Sequence, residues 1–471
     1  LPIYFTKEYG LLNLDKKVSL YVVALLLFVG IIGSVIFGAS VRHVLLGNAS
    51  LGSFGEGLLK IAEFPSTVKI ALTEIETGSP FVLKDTRFSA LDGFKKNGKI
   101  PLGAKNDEGY LLLSSYDNEK EQSTVQLIRI ADQKAIYEWA PDIDKLTEYS
   151  QIKAPEIAII MKSSYAMRHP LLTNDGGIVF HYSGPQFKVN ACSEVKMGVD
   201  GIFHHSTEMD VDGNYWTPSV MYSSSFKKGI LNHRDDAIAQ ISPGGKVLFK
   251  KSVAEILYEN GYRGLLAAGF DEDPIHLNDI QPALTDSHYW KKNDLLISMR
   301  HMSTIMLYRP STNKVIWLKT GPWMNQHDVN FVGDHELSVF GNNIIADVGV
   351  LKVNGNGGIR VGAEDVLMDG HNNVYRYNFQ TDKVVAPYNE VMKSMGVSTG
   401  SEGRGTILEN GDVFVEEQNN GRILRMSPEG VKWEFVRRVD KDHITTVSWS
   451  RYLTKEEVLP ILTKLRSQSC K

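Results

Sequence analysis

The sequence predicts an all-β protein: a six-bladed β-propeller preceded by one N-terminal transmembrane helix. Three observations carry this. From about residue 106, short alternating runs rich in Val, Ile, Tyr and Trp are separated by Asp-Gly, Asn-Gly and Gly-Gly turns. A layout of one cationic or polar residue, a strand, a Gly turn and a second strand recurs along the chain. Ahead of both, residues 18–41 carry no charge.

The uncharged stretch is long enough to cross about 30 Å of hydrocarbon. It exceeds the roughly 7–15 residues of a signal-peptide core and lacks an A-x-A-like site, so an uncleaved anchor is expected. Lys7, Lys16 and Lys17 precede it and mainly Arg42 follows. By the positive-inside rule the tail 1–17 is cytoplasmic, and in a Gram-negative cell the remainder faces the periplasm from the inner membrane. Residues 42–105 read as a lead-in, with a helix-like piece near Leu51–Phe64 and a strand-like VKIALTEI at 68–75. The propeller domain is expected over 106–450 and a C-terminal helix or tail over 451–471. SVAEILYENGY and TKEEVLPILTKLRS are the best later helices.

Composition excludes several classes. The 471 residues are 42% hydrophobic and 23% charged, as in an ordinary globular chain rather than a disordered one. A net charge of -4 gives no reason to expect nucleic acid. Two cysteines, Cys192 and Cys470, exclude a disulfide-rich scaffold and a Cys-based zinc module. They either pair or remain free thiols.

Five copies of the repeat begin at His169, His205, His276, His327 and Arg404, and a less regular one covers 103–116. A second hairpin follows most copies, giving four strands per unit. Spacing is too uneven for a WD40 array. The first strand of each blade lines the central channel, so these residues are expected to form a ring at one mouth. His204 adjoins His205, Asn278 lies on the His276 face, and Arg300 ends the strand DLLISMR. Three chemistries compete for this set. A metal site suits clustered imidazoles, but Arg300 and Arg404 would repel a cation. An oxyanion site suits Arg, His and Asn donors, and a neutral His there can act as nucleophile. Polar residues that merely bind turns are the third.

FHHSTEMDVDGNYW (203–216), DPIHLNDIQP (273–282), LLISMRHMSTIMLYRPSTNKVIW (295–317) and GPWMNQHDVNF (321–331) resemble the PAPS-independent arylsulfotransferases. The resemblance spans roughly 165–440. It implies a periplasmic six-bladed propeller that moves a sulfuryl group from an aryl sulfate ester to a phenol, by a ping-pong route through a sulfohistidine. It implies no cofactor and no metal. His327 then matches the nucleophile, and His276, Asn278 and Arg300 match a sulfate clamp. His204 or His205 matches a further sulfate ligand or the acid–base group, with repeat register favouring His205. His169 and Arg404 join the substrate-binding set from the repeat alone. Asp328 either orients an imidazole or caps a turn, and Trp323, Phe203 and Tyr165 are candidates for an aryl-stacking wall.

The chain departs from the family in lacking a closely spaced cysteine pair and in carrying an anchor. The anchor suggests tethering near a membrane source of substrate or a membrane-protein partner. The short extension before the propeller puts family-type dimerisation in doubt. The rival readings are a non-catalytic propeller serving a membrane complex as subunit or ligand-binding module, and a hydrolase in which water replaces the phenol. Asn48-Ala49-Ser50 is a glycosylation sequon, and Asp210 and Asp212 read as β-turn residues.

Overall fold

The structure is a computed structural model of the chain. It describes residues 19–45, most of 51–64, 79–149, 162, 164–221, 234–267, 273–344, 352–353, 359–360, 368–468 and 470. Internal contacts divide the chain into two units, 1–76 and 77–471.

In the first unit, Leu20–Leu45 form one helix of 26 residues. Its segment Leu20–His43 has a mean hydropathy of 2.8 and none of it is buried. At 1.5 Å per residue it is long and apolar enough to cross a membrane. The described residues between 51 and 64 are helical, as their pattern predicts. The expected strand at 68–75, the tail lysines and Asn48 lie outside the described residues.

The second unit is a propeller-like array of antiparallel sheets. Four of them have four strands. One combines Tyr110–Asp117, Gln122–Arg129 and Lys134–Trp139 with Arg451–Leu453 from the far end of the chain. The domain boundary expected after 450 therefore cuts through a sheet, because Tyr452 pairs with Leu111. The second contains Leu277–Pro282, Leu295–Met299, Thr304–Arg309 and Lys314–Thr320. The third contains Val329–Val332, Glu336–Gly341, Asn373–Asn378 and Lys383–Val385. The fourth contains Arg404–Ile407, Val413–Glu417, Arg422–Ser427 and Gly430–Val436. A larger, eight-stranded sheet runs from Arg168–Leu172 to Val195–Phe203, and on through Tyr215–Val220 to Val247–Ser252. Its two halves meet through one residue pair, Phe203 with Ser219.

Packing between sheets closes on itself. Trp290, Leu296 and Leu307 pack against Val329, Val339 and Tyr377. Phe340 and Val374 pack against Val413 and Leu424. Phe414 and Trp433 pack against Leu111, Leu113 and Phe94, which returns the last sheet to the first. Buried carboxylates stitch neighbouring sheets together. Asp236, Asp279 and Asp328 accept backbone N–H groups of Leu277 (2.6 Å), Val329 (2.8 Å) and Gly405 (2.9 Å) in the neighbouring sheet. Glu416 accepts from Trp449 and Ser450 at 2.7 and 2.6 Å. Each satisfies a buried donor whose loss would cost about 1–3 kcal/mol.

Both predicted helices form. Ser252 caps Val253–Glu259 by accepting from Glu255 N–H. Thr454 and Glu457 make a capping box on Lys455–Ser467. That last helix buries Val458, Ile461, Leu462 and Leu465 in the cluster that holds Trp139 and Phe187. Beyond it Cys470 is joined to Cys192, with Cα atoms 5.3 Å apart. Of the two alternatives for these cysteines, the structure takes the disulfide.

Candidate active site

Six strand entries carry a non-glycine residue at positive φ: His169 (51°), His205 (60°), His276 (48°), Asn325 (47°), Glu402 (57°) and Trp449 (53°). The left-handed region costs an L-residue about 1 kcal/mol, so its recurrence marks one shared backbone turn. This turn sets the true repeat register. His276 corresponds to Asn325 and Glu402, whereas Asn278 corresponds to His327 and Arg404. The alignment of His327 and Arg404 with His169, His205 and His276, on which the register argument for His205 rested, is therefore off by two residues. Positions two apart share a strand face, so side-chain alternation alone does not separate them.

The turns bring the histidines together around His205. Ring centroids lie 5.0 Å from it for His204, 5.2 Å for His276, 6.0 Å for His327 and 6.2 Å for His169. Glu402 completes the centre: donor atoms of His205, His327 and Glu402 lie within 4.8 Å of one another.

His327 is 1% exposed and is held from both sides. Its Nδ1 lies 2.6 Å from Asn342 Oδ1. Asn342 Nδ2 donates to the carbonyls of Thr399 (3.0 Å) and Glu402 (2.9 Å). With both amide hydrogens committed, Asn342 offers only its oxygen, so Nδ1 of His327 carries the hydrogen. The lone pair is then on Nε2, which faces the Glu402 N–H at 3.1 Å. Burial, followed by the Arg300 charge, pushes the His327 pKa down to about 3. The ring is neutral at physiological pH.

His205 and His204 share a contact of 2.8 Å between their Nδ1 atoms. Burial lowers both pKa values, that of His205 well below the ordinary range. His204 Nε2 lies 3.5 Å from Asp236. His276 Nδ1 lies 2.6 Å from Asp273 Oδ2, which fixes the ring's orientation. Asn278 donates to the Gln326 carbonyl at 2.7 Å, and its Oδ1 is buried without a hydrogen-bond partner. Arg300 is 1% exposed, and its backbone N–H donates to the His276 carbonyl at 3.1 Å.

His169 stacks on Trp449 at 4.2 Å, and burial brings its pKa to about 4. Arg404 is directed into the ring's framework: it contacts Asp328 at 3.5 Å, Thr406 at 3.1 Å and the Ser450 carbonyl at 3.4 Å. Asp328 caps the next sheet through Gly405 N–H, and none of its hydrogen bonds reaches an imidazole. Trp323, Phe203 and Tyr165 are 0%, 2% and 1% exposed in three separate apolar clusters, so they are core rather than an aryl wall.

Asn342 and Glu402 are the site residues that sequence reasoning missed. Glu402 stands two residues before Arg404, at the position the corrected register makes equivalent to His276. Gly403 follows it at φ 85°, where a Cβ would meet the Glu416 carbonyl at 2.7 Å. Glu402 Oε1 pairs with Arg168 at 2.5 Å, and Oε2 lies 3.5 Å from His169 Nε2. Burial opposes ionisation, but Arg168 and the adjoining histidines hold this carboxyl well below the usual range. A second convergent group is Asp273, His276 and His301, with Arg234 3.8 Å from Asp273. A guanidinium beside each group disfavours a metal cation.

Fold and site together define a propeller-like protein with a buried, polar, imidazole-rich centre. A family model described as arylsulfotransferase (ASST) matches residues 174–438, more than half of the chain. The chain belongs to the arylsulfotransferase family. Membership implies arylsulfotransferase activity in general, with aryl sulfate and phenol substrates. No curated protein matches. Among solved structures, a Bacteroides caccae protein of unknown function is 12% identical, with 74% of this chain and 99% of that chain covered and a TM-score of 0.44. The periplasmic gluconolactonase of Pseudomonas aeruginosa is 11% identical over 74% and 99% of the two chains, with a TM-score of 0.36. Virginiamycin B lyase from Staphylococcus aureus is 11% identical over 60% and 94%, with a TM-score of 0.32.

Proposed function

We propose that this chain is a membrane-anchored, periplasm-facing arylsulfotransferase that moves a sulfuryl group from an aryl sulfate to a phenol through a sulfohistidine on His327. The observation that carries the reading is the tautomer lock. Asn342 holds Nδ1–H and leaves Nε2 as a lone pair in a buried polar centre. In the first half-reaction Nε2 attacks sulfur, the S–O bond to the aryl group breaks, and the electron pair leaves on the phenolate oxygen. The Glu402 N–H that meets Nε2 in the resting site then lies beside a sulfuryl oxygen. Arg300, His276 and Asn278 stabilise negative charge on the other sulfuryl oxygens. In the second half-reaction the acceptor phenol attacks sulfur and the N–S pair returns to the ring. His205 takes the phenol proton. His169 and Arg404 support this centre from its edge, and His204 positions His205.

The same reading takes the eight-stranded sheet as two blades touching at Phe203 and Ser219, which makes six blades with the other four sheets. It takes Leu20–Leu45 as the anchor, with the N-terminus cytoplasmic.

Intact-mass analysis of the detergent-solubilised chain incubated with an aryl sulfate tests the proposal, with released phenol followed by absorbance. One sulfuryl adduct and a phenol burst, both absent from His327→Asn, are expected. No adduct and no phenol across a panel of aryl sulfates would favour the binding-module reading.

A further inference from the structure

Glu402 poses a problem that substrate binding does not solve. A fixed negative charge beside the nucleophile repels a sulfate ester, so it weakens the ground-state complex rather than strengthening it. Yet the carboxylate is held firmly. Oε1 is tied to Arg168 at 2.5 Å, and Asn342 grips the Glu402 carbonyl at 2.9 Å. Oε2 is buried, has no hydrogen-bond partner and lies among His169, His205 and His327. A carboxylate so placed acts most strongly on charge that develops beside it during the reaction.

The resting His327 ring is neutral. When its Nε2 lone pair forms the N–S bond and the S–O pair leaves on the phenolate, the ring keeps its Nδ1–H and acquires a formal positive charge. Arg300 already opposes positive charge on this ring. In the trio of His327, His205 and Glu402, whose donor atoms lie within 4.8 Å of one another, burial keeps His205 neutral and Glu402 is the anion. We propose that Glu402 is the counter-charge for sulfuryl capture, stabilising the cationic sulfohistidine ring as it forms. The assignment rests on the sulfohistidine reading and adds a residue to it. Glu402 forms no bond with the substrate in this scheme, and no proton passes through it.

The test uses the full chain in detergent, with Glu402→Gln to remove the charge at nearly constant shape and Glu402→Asp to keep it. Rapid-mix intact mass gives adduct formation, and dilution into acceptor gives adduct decay. For Glu402→Gln, adduct formation should slow about a hundredfold, the usual loss when one preorganised charge partner is removed. The Kd for the aryl sulfate, read from the concentration dependence of adduct formation, should be unchanged or lower, and the adduct, once formed, should decay at least as fast as in the parent. A merely structural defect would slow both half-reactions and raise Kd. Glu402→Asp should form adduct within about tenfold of the parent. Adduct formation at the parent rate in Glu402→Gln, or a raised Kd for the aryl sulfate with an unchanged rate of capture, would overturn the assignment. So would a folded Glu402→Asp as slow as the amide variant, a comparison that stands even where the amide variant does not fold. If the parent forms no adduct, the sulfohistidine reading itself fails, which is a separate result.

Discussion

Acid should act on this fold through the buried imidazoles, and the size of the effect can be worked out. His327 and His169 are pushed down from 6.5 to about 3 and about 4 in the folded chain. In the unfolded chain they recover the ordinary value. Between pH 6.5 and those folded values, the unfolded chain binds protons that the folded chain refuses, so stability is lost as pH falls. From pH 7.5 to 5.0 each ring costs about 2 kcal/mol, or about 4 kcal/mol for the pair. His204, His205 and His181 are shifted in the same direction. Glu416 opposes them. Burial raises its pKa to about 7, so the folded chain takes up a proton there first and gains stability as pH falls. The raw acid sensitivity therefore mixes both signs, and a difference between variants is the clean readout. Urea titrations of the parent and of the double variant His327→Gln, His169→Gln would be run at both pH values. The double variant should lose about 4 kcal/mol less than the parent over this interval. Equal losses in the two chains would refute the burial argument for these histidines.

Other outcomes follow from particular contacts. Asn342→Leu removes the acceptor that fixes His327 Nδ1–H, and the phenol burst should slow by about 10²–10⁴-fold in stopped flow. The upper figure is the loss seen when the tautomer-setting partner is removed in a Ser-His-Asp enzyme. Cys192→Ser with Cys470→Ser opens a loop with a sequence separation of 278. Chain entropy puts that loss at about 5–6 kcal/mol at most, measurable by denaturant titration without reductant. Removing residues 1–45 should release the chain from a carbonate-washed membrane pellet, while the full chain stays with the pellet.

Much of this architecture was legible because it depends on local alternation. Strands at 110–129, 295–309 and 413–427 show apolar runs punctuated by turns. The two helices announce themselves through Ser252 and the Thr454–Glu457 pair. His327, His205, His276, Asn278 and Arg300 were found because a recurring layout and matched motifs placed them at strand entries and ends. What failed to show depends on three dimensions. The two-residue register error arose because extended backbone repeats every two residues, and only the positive-φ turn distinguishes Asn325 from His327. Asn342 follows the strand Glu336–Gly341, and Glu402 precedes the strand Arg404–Ile407 of a different sheet. No spacing along the chain relates them to His327. Trp323, Phe203 and Tyr165 illustrate a different limit: an aromatic near a motif reads alike whether it faces a cavity or a core.

The pairing of Arg451–Leu453 with Tyr110–Leu112 has a consequence for assembly in time. The partners are separated by almost the whole propeller-like unit, so the first sheet lacks its fourth strand until the last stretch of chain has emerged. Every earlier intermediate presents the bare backbone of Tyr110–Asp117 as an open strand edge, able to pair with another copy. Such long-range closure also predicts slow folding. The final twenty or so residues act as a latch on a nearly finished ring: a strand to close it, a capped helix to cover the joint, and a cysteine to lock it.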